Sequence, residues 1–230
     1  MSHTSGVRQA QKLKTRQALL DAGLHLLEEQ SLSSLGLREV TREVGVAPAA
    51  FYRHFRDIPD LGVALVHESF SSLHTAIRAI LAEQEETGGR IDSAVDAIVR
   101  YVRDHRPHMR FIARERHGGV RDVREAIAAE LERFTDEVAG SLSPRPVYAG
   151  WTAGDMRMLA ELFVDHMVTT AAALLDAGPG ASADTGPDAP PVDRPHVSAD
   201  EVSAAEERIA ATARRQLRLI SVGCRHWQSG

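Results

Sequence analysis

Cysteine is nearly absent from this chain. Cys224 is the single one in 230 residues, so no internal disulfide forms and no cysteine-based metal cluster can be assembled. A reducing compartment fits, with Cys224 read as a small buried apolar residue. Long apolar runs are missing too, and none approaches the roughly 18 residues of a membrane span. The stretch from Met1 to Arg16 has no apolar core of the signal-peptide kind. These absences predict a cytoplasmic chain that contacts no membrane. Strand signals are also scarce. β-branched runs are short, and no Asn-Gly or alternating hairpin pattern occurs, which argues against a sheet. No Gly-rich phosphate loop and no ordered Ser-His-Asp set is present, so an enzyme reading has little to stand on. His105 and His108 sit three apart. Pro107 between them, without further ligands nearby, makes them a helix start and not a metal pair. No cofactor, no metal and no catalytic residue is expected.

What is present is ordinary globular material, 43% hydrophobic and 26% charged, at a length suited to one or two domains. Charge is unevenly spread. From Met1 to Arg56 eight basic residues face five acidic ones, a net +3, although the whole chain carries −5. Both lysines, Lys12 and Lys14, lie in this segment. A basic end on an acidic body points to a polyanion as the partner of the N-terminal part alone.

Helical periodicity runs through most of the chain. A first helix is expected from Gln9 to Gln30, with Leu13, Ala18, Leu20, Leu24 and Leu27 near one face. A short helix from Leu37 to Val44 ends at Gly45, a residue free to take positive φ, and Pro48 opens the next, which runs to Phe55. Asp57 caps a long helix from Pro59 to Glu86, ended by Thr87, Gly88 and Gly89. Helices follow over Asp92–Asp104, Pro107–His117, Val120–Leu142 and from Thr152 to Asp176, the last opened by a Thr152/Asp155 box. Gly178 to Val197 is rich in Pro, Gly, Ala and Asp, which predicts a flexible loop over residues 176–199. Ser198 and Glu201 box the last helix, which runs to Arg225 with Val202, Ile209, Ala213, Leu217 and Ile220 in one stripe.

The segment Leu37 to Phe55 reads as a helix-turn-helix. Val40, Val44 and Val46 point inward, and Phe51 and Phe55 lock the second helix down. Pro48, Ala49, Ala50, Tyr52, Arg53 and His54 are left at the outer face. Small Ala49 and Ala50 allow a close approach to a groove floor and to thymine methyls. Tyr52 and His54 are placed to donate to phosphates, Arg38 to a guanine edge or a phosphate, and Arg42 and Lys14 complete the basic surface. A solvated helical hairpin explains each charge singly but not the coincidence of turn, proline start, aromatic lock and basic end.

With its Phe51-Tyr52-Arg53-His54-Phe55 string, this motif resembles the TetR family of one-component bacterial regulators. Within it, the resemblance is to the repressors of unsaturated fatty-acid synthesis and desaturation (the FabR and DesT type). It is carried by Gly6-Val7-Arg8, Gln11 to Arg16, Leu37 to Val40, Phe51 to Asp57, Arg114-Glu115-Arg116, and Leu217 to Ser221 with Gly223. The resemblance implies an all-α fold, with a three-helix DNA-binding domain over residues 1–58 and a helical effector-binding and dimerisation domain over 59–230. It implies a homodimer on a pseudo-palindromic double-stranded operator, joined through the last two helices. It also implies a fatty acyl-CoA or acyl-carrier effector in an apolar tunnel. The candidate lining is Phe70, Leu73, Ile77, Val99, Val102, Phe111, Ile112, Phe134, Phe163 and Met167. Arg114, in a stretch with Arg106, Arg110 and Arg116, faces either the effector's phosphates or, with Glu115 and Arg116, an internal ion-pair network that orients the helices. The rival readings are a TetR-type repressor responding to another hydrophobic molecule, at an efflux or degradation gene, and a helical lipid carrier. The basic motif speaks against the carrier.

Overall fold

The computed structural model describes residues 3–82, 87–178, 198–224 and 227. Among them there are only helices and no strand: α1 (His3–Leu26), α2 (Leu37–Val44), α3 (Pro48–Phe51), α4 (Ile58–Ala82), α5 (Thr87–Asp104), α6 (Arg106–Glu115), α7 (Arg121–Leu142), α8 (Ala153–Ala177) and α9 (Ala199–Cys224), with a 3₁₀ turn at Pro146–Tyr148. The expected loop falls almost wholly on residues 179–197, outside the described residues.

Local chemistry sets many of the helix ends. Asp57 Oδ1 accepts the Asp60 N–H at 2.8 Å while Asp60 Oδ2 accepts the Arg56 N–H at 2.9 Å, so two carboxylates satisfy backbone donors at the start of α4. The backbone N–H of Arg56 is the main reason the Asp60 carboxyl lies below the ordinary carboxylate range. Thr152 and Asp155 form the full box that opens α8, and Ser198 and Glu201 do the same for α9. Other expectations are corrected. Gly88 and Gly89 do not stop α4; they lie in the first turn of α5, where few intrahelical bonds are required. Leu13, placed on the buried face by periodicity, is 60% exposed, because residues 6–14 of α1 meet nothing that covers them. By length and composition α8 is apolar enough to span a bilayer, a match that a search for uninterrupted apolar runs overlooks; its Met156, Leu159, Ala171 and Leu174 are buried within the protein.

The chain divides into two compact units. The first comprises residues 1–72 and 107–130, the second 73–106 and 131–230. In the first unit the core is Leu19, Leu20, Leu32, Val40, Phe51, Leu61, Leu65, Val66 and Ile127. Close backbone approach is required at Gly62, where a Cβ would stand 2.6 Å from Leu32 and 2.8 Å from Val123. The segment after α1 is held by α6. Arg114 Nη1 donates to the carbonyls of Leu27 and Gln30, both at 2.9 Å, and fully buried Glu115 accepts the Leu32 N–H at 2.9 Å. Gly118 leaves room for the Glu115 carboxylate, which a Cβ there would strike. Arg114 thus meets main-chain carbonyls, which differs from the internal ion-pair network expected as one of its two roles.

In the second unit α9 lies along α5. Ala210, Ala213 and Leu217 pack with Ile91 and Val95, and Val99, Phe163, Met167 and Ile220 close around them. Arg214 pairs with Asp96 and Glu207, and Arg218 reaches both oxygens of Asp92. Buried Glu206 receives Arg103 at 2.7 Å, and Arg106 donates to the Leu175 carbonyl at the end of α8. The α9 stripe read from the sequence is therefore largely taken up inside one chain. Leu162 on α8, and Leu219 and Val222 on α9, face outward instead.

Candidate nucleic-acid interface

The turn between α2 and α3 is built as its residues dictate. Gly45 takes φ 73° and ψ 30°, left-handed values at which a side chain is strained, and the Val46 N–H reaches back to the Thr41 carbonyl at 2.9 Å. Pro48 occupies the first turn of α3 after an extended Ala47. Val40 and Phe51 are both fully buried, whereas Val44 and Val46 are half-buried. Phe51 and Phe55 lie 5.5 Å apart, and Tyr52 presents its edge to Phe51 at 5.9 Å. The second helix is shorter than expected. Beyond Phe51 the α-helix gives way to turns, with three-residue bonds from Arg53 to Ala50 and from His54 to Phe51 and one four-residue bond from Phe55 to Phe51.

This packing leaves an outer face of Pro48, Ala49, Tyr52 and Arg53, with Ala50 half-buried and Tyr52 64% exposed. Arg38 and Arg42 on α2 and Lys14 on α1 are exposed, and among the described residues none of these cations, nor Arg53, pairs with a carboxylate. The face therefore offers donors and positive charge over small side chains, the combination that phosphates and a groove floor require. His54 differs from its neighbours. Its Nδ1 is buried without a hydrogen-bond partner, and its pKa lies below the ordinary 6.5, first through desolvation and then through Lys12, Arg16 and Arg53. Lys12 and Arg16, counted in the sequence only as part of the basic end, lie close to this site. Arg16 lies over the Phe55 ring at 5.0 Å, and the spacing of four between Lys12 and Arg16 was the available signal.

Behind this face, α1 and α4 border an open pocket of about 540 Å³ lined by Arg16, Leu20, His54, Phe55, Val63 and Glu68 among others; no candidate effector residue lines it. Those candidates divide between the units. Phe70, Phe111 and Ile112 are buried in the first, where Arg114 holds the end of α1. Leu73, Val102 and Phe134 are buried in the second, where His74 stacks on Phe134 at 3.8 Å and Ile77 is half-buried. Val99, Phe163 and Met167 come together against the α5–α9 core.

Comparison with known proteins gives the face its context. Residues 19–65 match the pattern of the "Bacterial regulatory proteins, tetR family". An uncharacterised HTH-type transcriptional regulator of Haemophilus influenzae is 37% identical over 173 residues, which is 75% of this chain and 83% of that protein. The fold is also that of a Bacillus subtilis transcriptional regulator, FadR, solved with stearoyl-CoA (TM-score 0.63, 12% identity, 86% of this chain and 96% of that one). A SmeT–triclosan complex is similar as well (TM-score 0.60, 14% identity, 86% and 91%).

Proposed function

The chain belongs to the TetR family of bacterial regulatory proteins, and from that premise we propose that it is a cytoplasmic homodimeric repressor of fatty-acid synthesis or desaturation genes, of the FabR and DesT type. Family membership makes it a ligand-responsive transcriptional regulator and not an enzyme. The observation that carries the DNA role is the face of Arg38, Arg42, Pro48, Ala49, Tyr52 and Arg53 over the buried Val40–Phe51 pair. Each subunit sets this face in a major groove, with Tyr52 anchoring phosphates and Arg38 reading a base edge. The outward Leu162, Leu219 and Val222 supply the contact between copies.

The effector in this reading is a long-chain acyl-CoA, supported by the stearoyl-CoA held in the similar Bacillus subtilis fold. It acts by favouring one spacing of the two reading faces over the other. The lever is α4, which carries residues of both units. The triclosan in the SmeT structure supports the second reading, a TetR-type repressor at an efflux or degradation gene answering another hydrophobic molecule. One assay separates them. Duplexes are first enriched from a random pool by the protein, and their binding is then followed with palmitoyl-CoA, oleoyl-CoA or triclosan added. The acyl reading expects a several-fold change in affinity with one of the thioesters. A response to triclosan with none to either thioester overturns it.

A further inference from the structure

Residues 6–14 of α1 lie uncovered within the described structure. Every residue from Gly6 to Lys14 is exposed, and the chain holds no acidic residue before Asp21. Within that stretch Arg8 and Lys12 are spaced four apart, and Arg16 follows at the same spacing. On an α-helix such residues share one face. Lys14 lies about 200° round the axis from Lys12 and belongs to another face. Among the described residues, neither Arg8 nor Lys12 forms an ion pair with a carboxylate, while Arg16 at the inner end bears electrostatically on Asp60.

The inner end of the stripe is fixed against the reading face. Arg16 stacks on Phe55, directly after the recognition turn, and Lys12 bears electrostatically on His54. The stripe then runs outward for roughly 12 Å at 1.5 Å per residue. That reach matches about three base pairs of duplex at 3.4 Å per step. Helix rigidity matters here, because cations already held on one face lose little freedom when phosphates arrive.

We propose that this segment of α1 is a second DNA-contacting element, in which Arg8 and Lys12 neutralise backbone phosphates on the flank beyond the bases read by α3. The proposal rests on the DNA-binding reading above. Its sequence effect is small, because phosphates carry no base code. Its effect is on affinity, salt dependence and footprint length.

The test uses the full chain and a duplex enriched by the wild-type protein from a random pool, prepared intact or shortened by four base pairs at each end. The double variant Arg8→Ala/Lys12→Ala keeps the wild-type melting temperature, since both side chains are solvated. On the intact duplex its slope of log affinity against log salt is shallower by about 3.6, the value for four lost phosphate contacts, two from each subunit of the dimer. On the shortened duplex, wild type and variant bind alike. Equal slopes on the intact duplex overturn the inference and leave the regulator reading standing. Failure of the wild type to enrich any duplex overturns both. Wild-type binding to vesicles of phosphatidylglycerol that the double variant loses, with unchanged slopes on DNA, assigns the stripe to a membrane and also overturns the inference.

Discussion

The helix-turn-helix and the α8–α9 pair dispose of their apolar side chains in opposite ways. In α2 and α3 the large apolar groups turn inward, and Tyr52, whose hydroxyl gives it a polar tip, is the one large ring left outside. In α8 and α9 one apolar set packs inward while a second set stays outside, with Leu219 74% and Leu162 50% exposed. A surface meant for a hydrated polyanion gains little from exposed leucine, whereas a surface meant for a second protein gains from each one it covers. The contrast separates the face proposed to meet phosphate from the face proposed to meet another chain.

Three experiments break or sharpen that contrast. The largest effect is expected from Phe51→Ala, which empties the one large buried position of α3 and costs about 3–5 kcal/mol. Chemical denaturation should show that loss, and DNA binding should vanish with it. A loss below about 1 kcal/mol would mean that the reading face does not depend on its core. Next comes the double variant Leu162→Glu/Leu219→Glu. Each leucine covered in an interface is worth about 1.5–3 kcal/mol, so sedimentation should show monomers while circular dichroism keeps its helical signal. A mass unchanged from wild type would remove α8–α9 from the dimer contact.

The smallest effect is electrostatic. Burial and the Lys12, Arg16 and Arg53 cations hold His54 below its ordinary 6.5, so the folded chain binds fewer protons there than the unfolded one. Stability from this group is complete above pH 6.5 and is lost as pH falls below it. Nearby phosphates would offset the cations, so DNA affinity should move the other way and rise on acidification. Comparing wild type with His54→Gln by denaturation and by DNA titration between about pH 5 and 7 isolates both slopes. Parallel slopes in the two assays would contradict the shared cluster of cations.

Much of this molecule was legible residue by residue where the signal was local. Gly45 and Pro48 act through their own backbone and Asp57 through a carboxylate that reaches only three residues on, and the turn and the start of α4 follow from them. The two capping boxes were equally plain. What could not be read depends on distant partners. Periodicity identified α1 as a helix but not where its cover stops, so Leu13 was placed inside. The α9 stripe was seen as dimer surface, yet its inner partners, Ile91 and Val95, lie over a hundred residues earlier. For the reading face, composition picked out the outward cations but not the half-buried state of His54, nor the lowering of its pKa, to which Lys12 and Arg16 of α1 add after burial.

The grip of α6 on the segment after α1 is made to main-chain groups: two carbonyls for Arg114 and one N–H for Glu115. Such a joint is indifferent to the side chains it holds. Residues 28–31 are thereby released from coding the connection and can be rewritten without redesigning the fastening, whereas buried Leu27 and Leu32 stay fixed by the core. A protein engineer wishing to graft a different reading head onto this body therefore has to match a path of backbone and not a sequence.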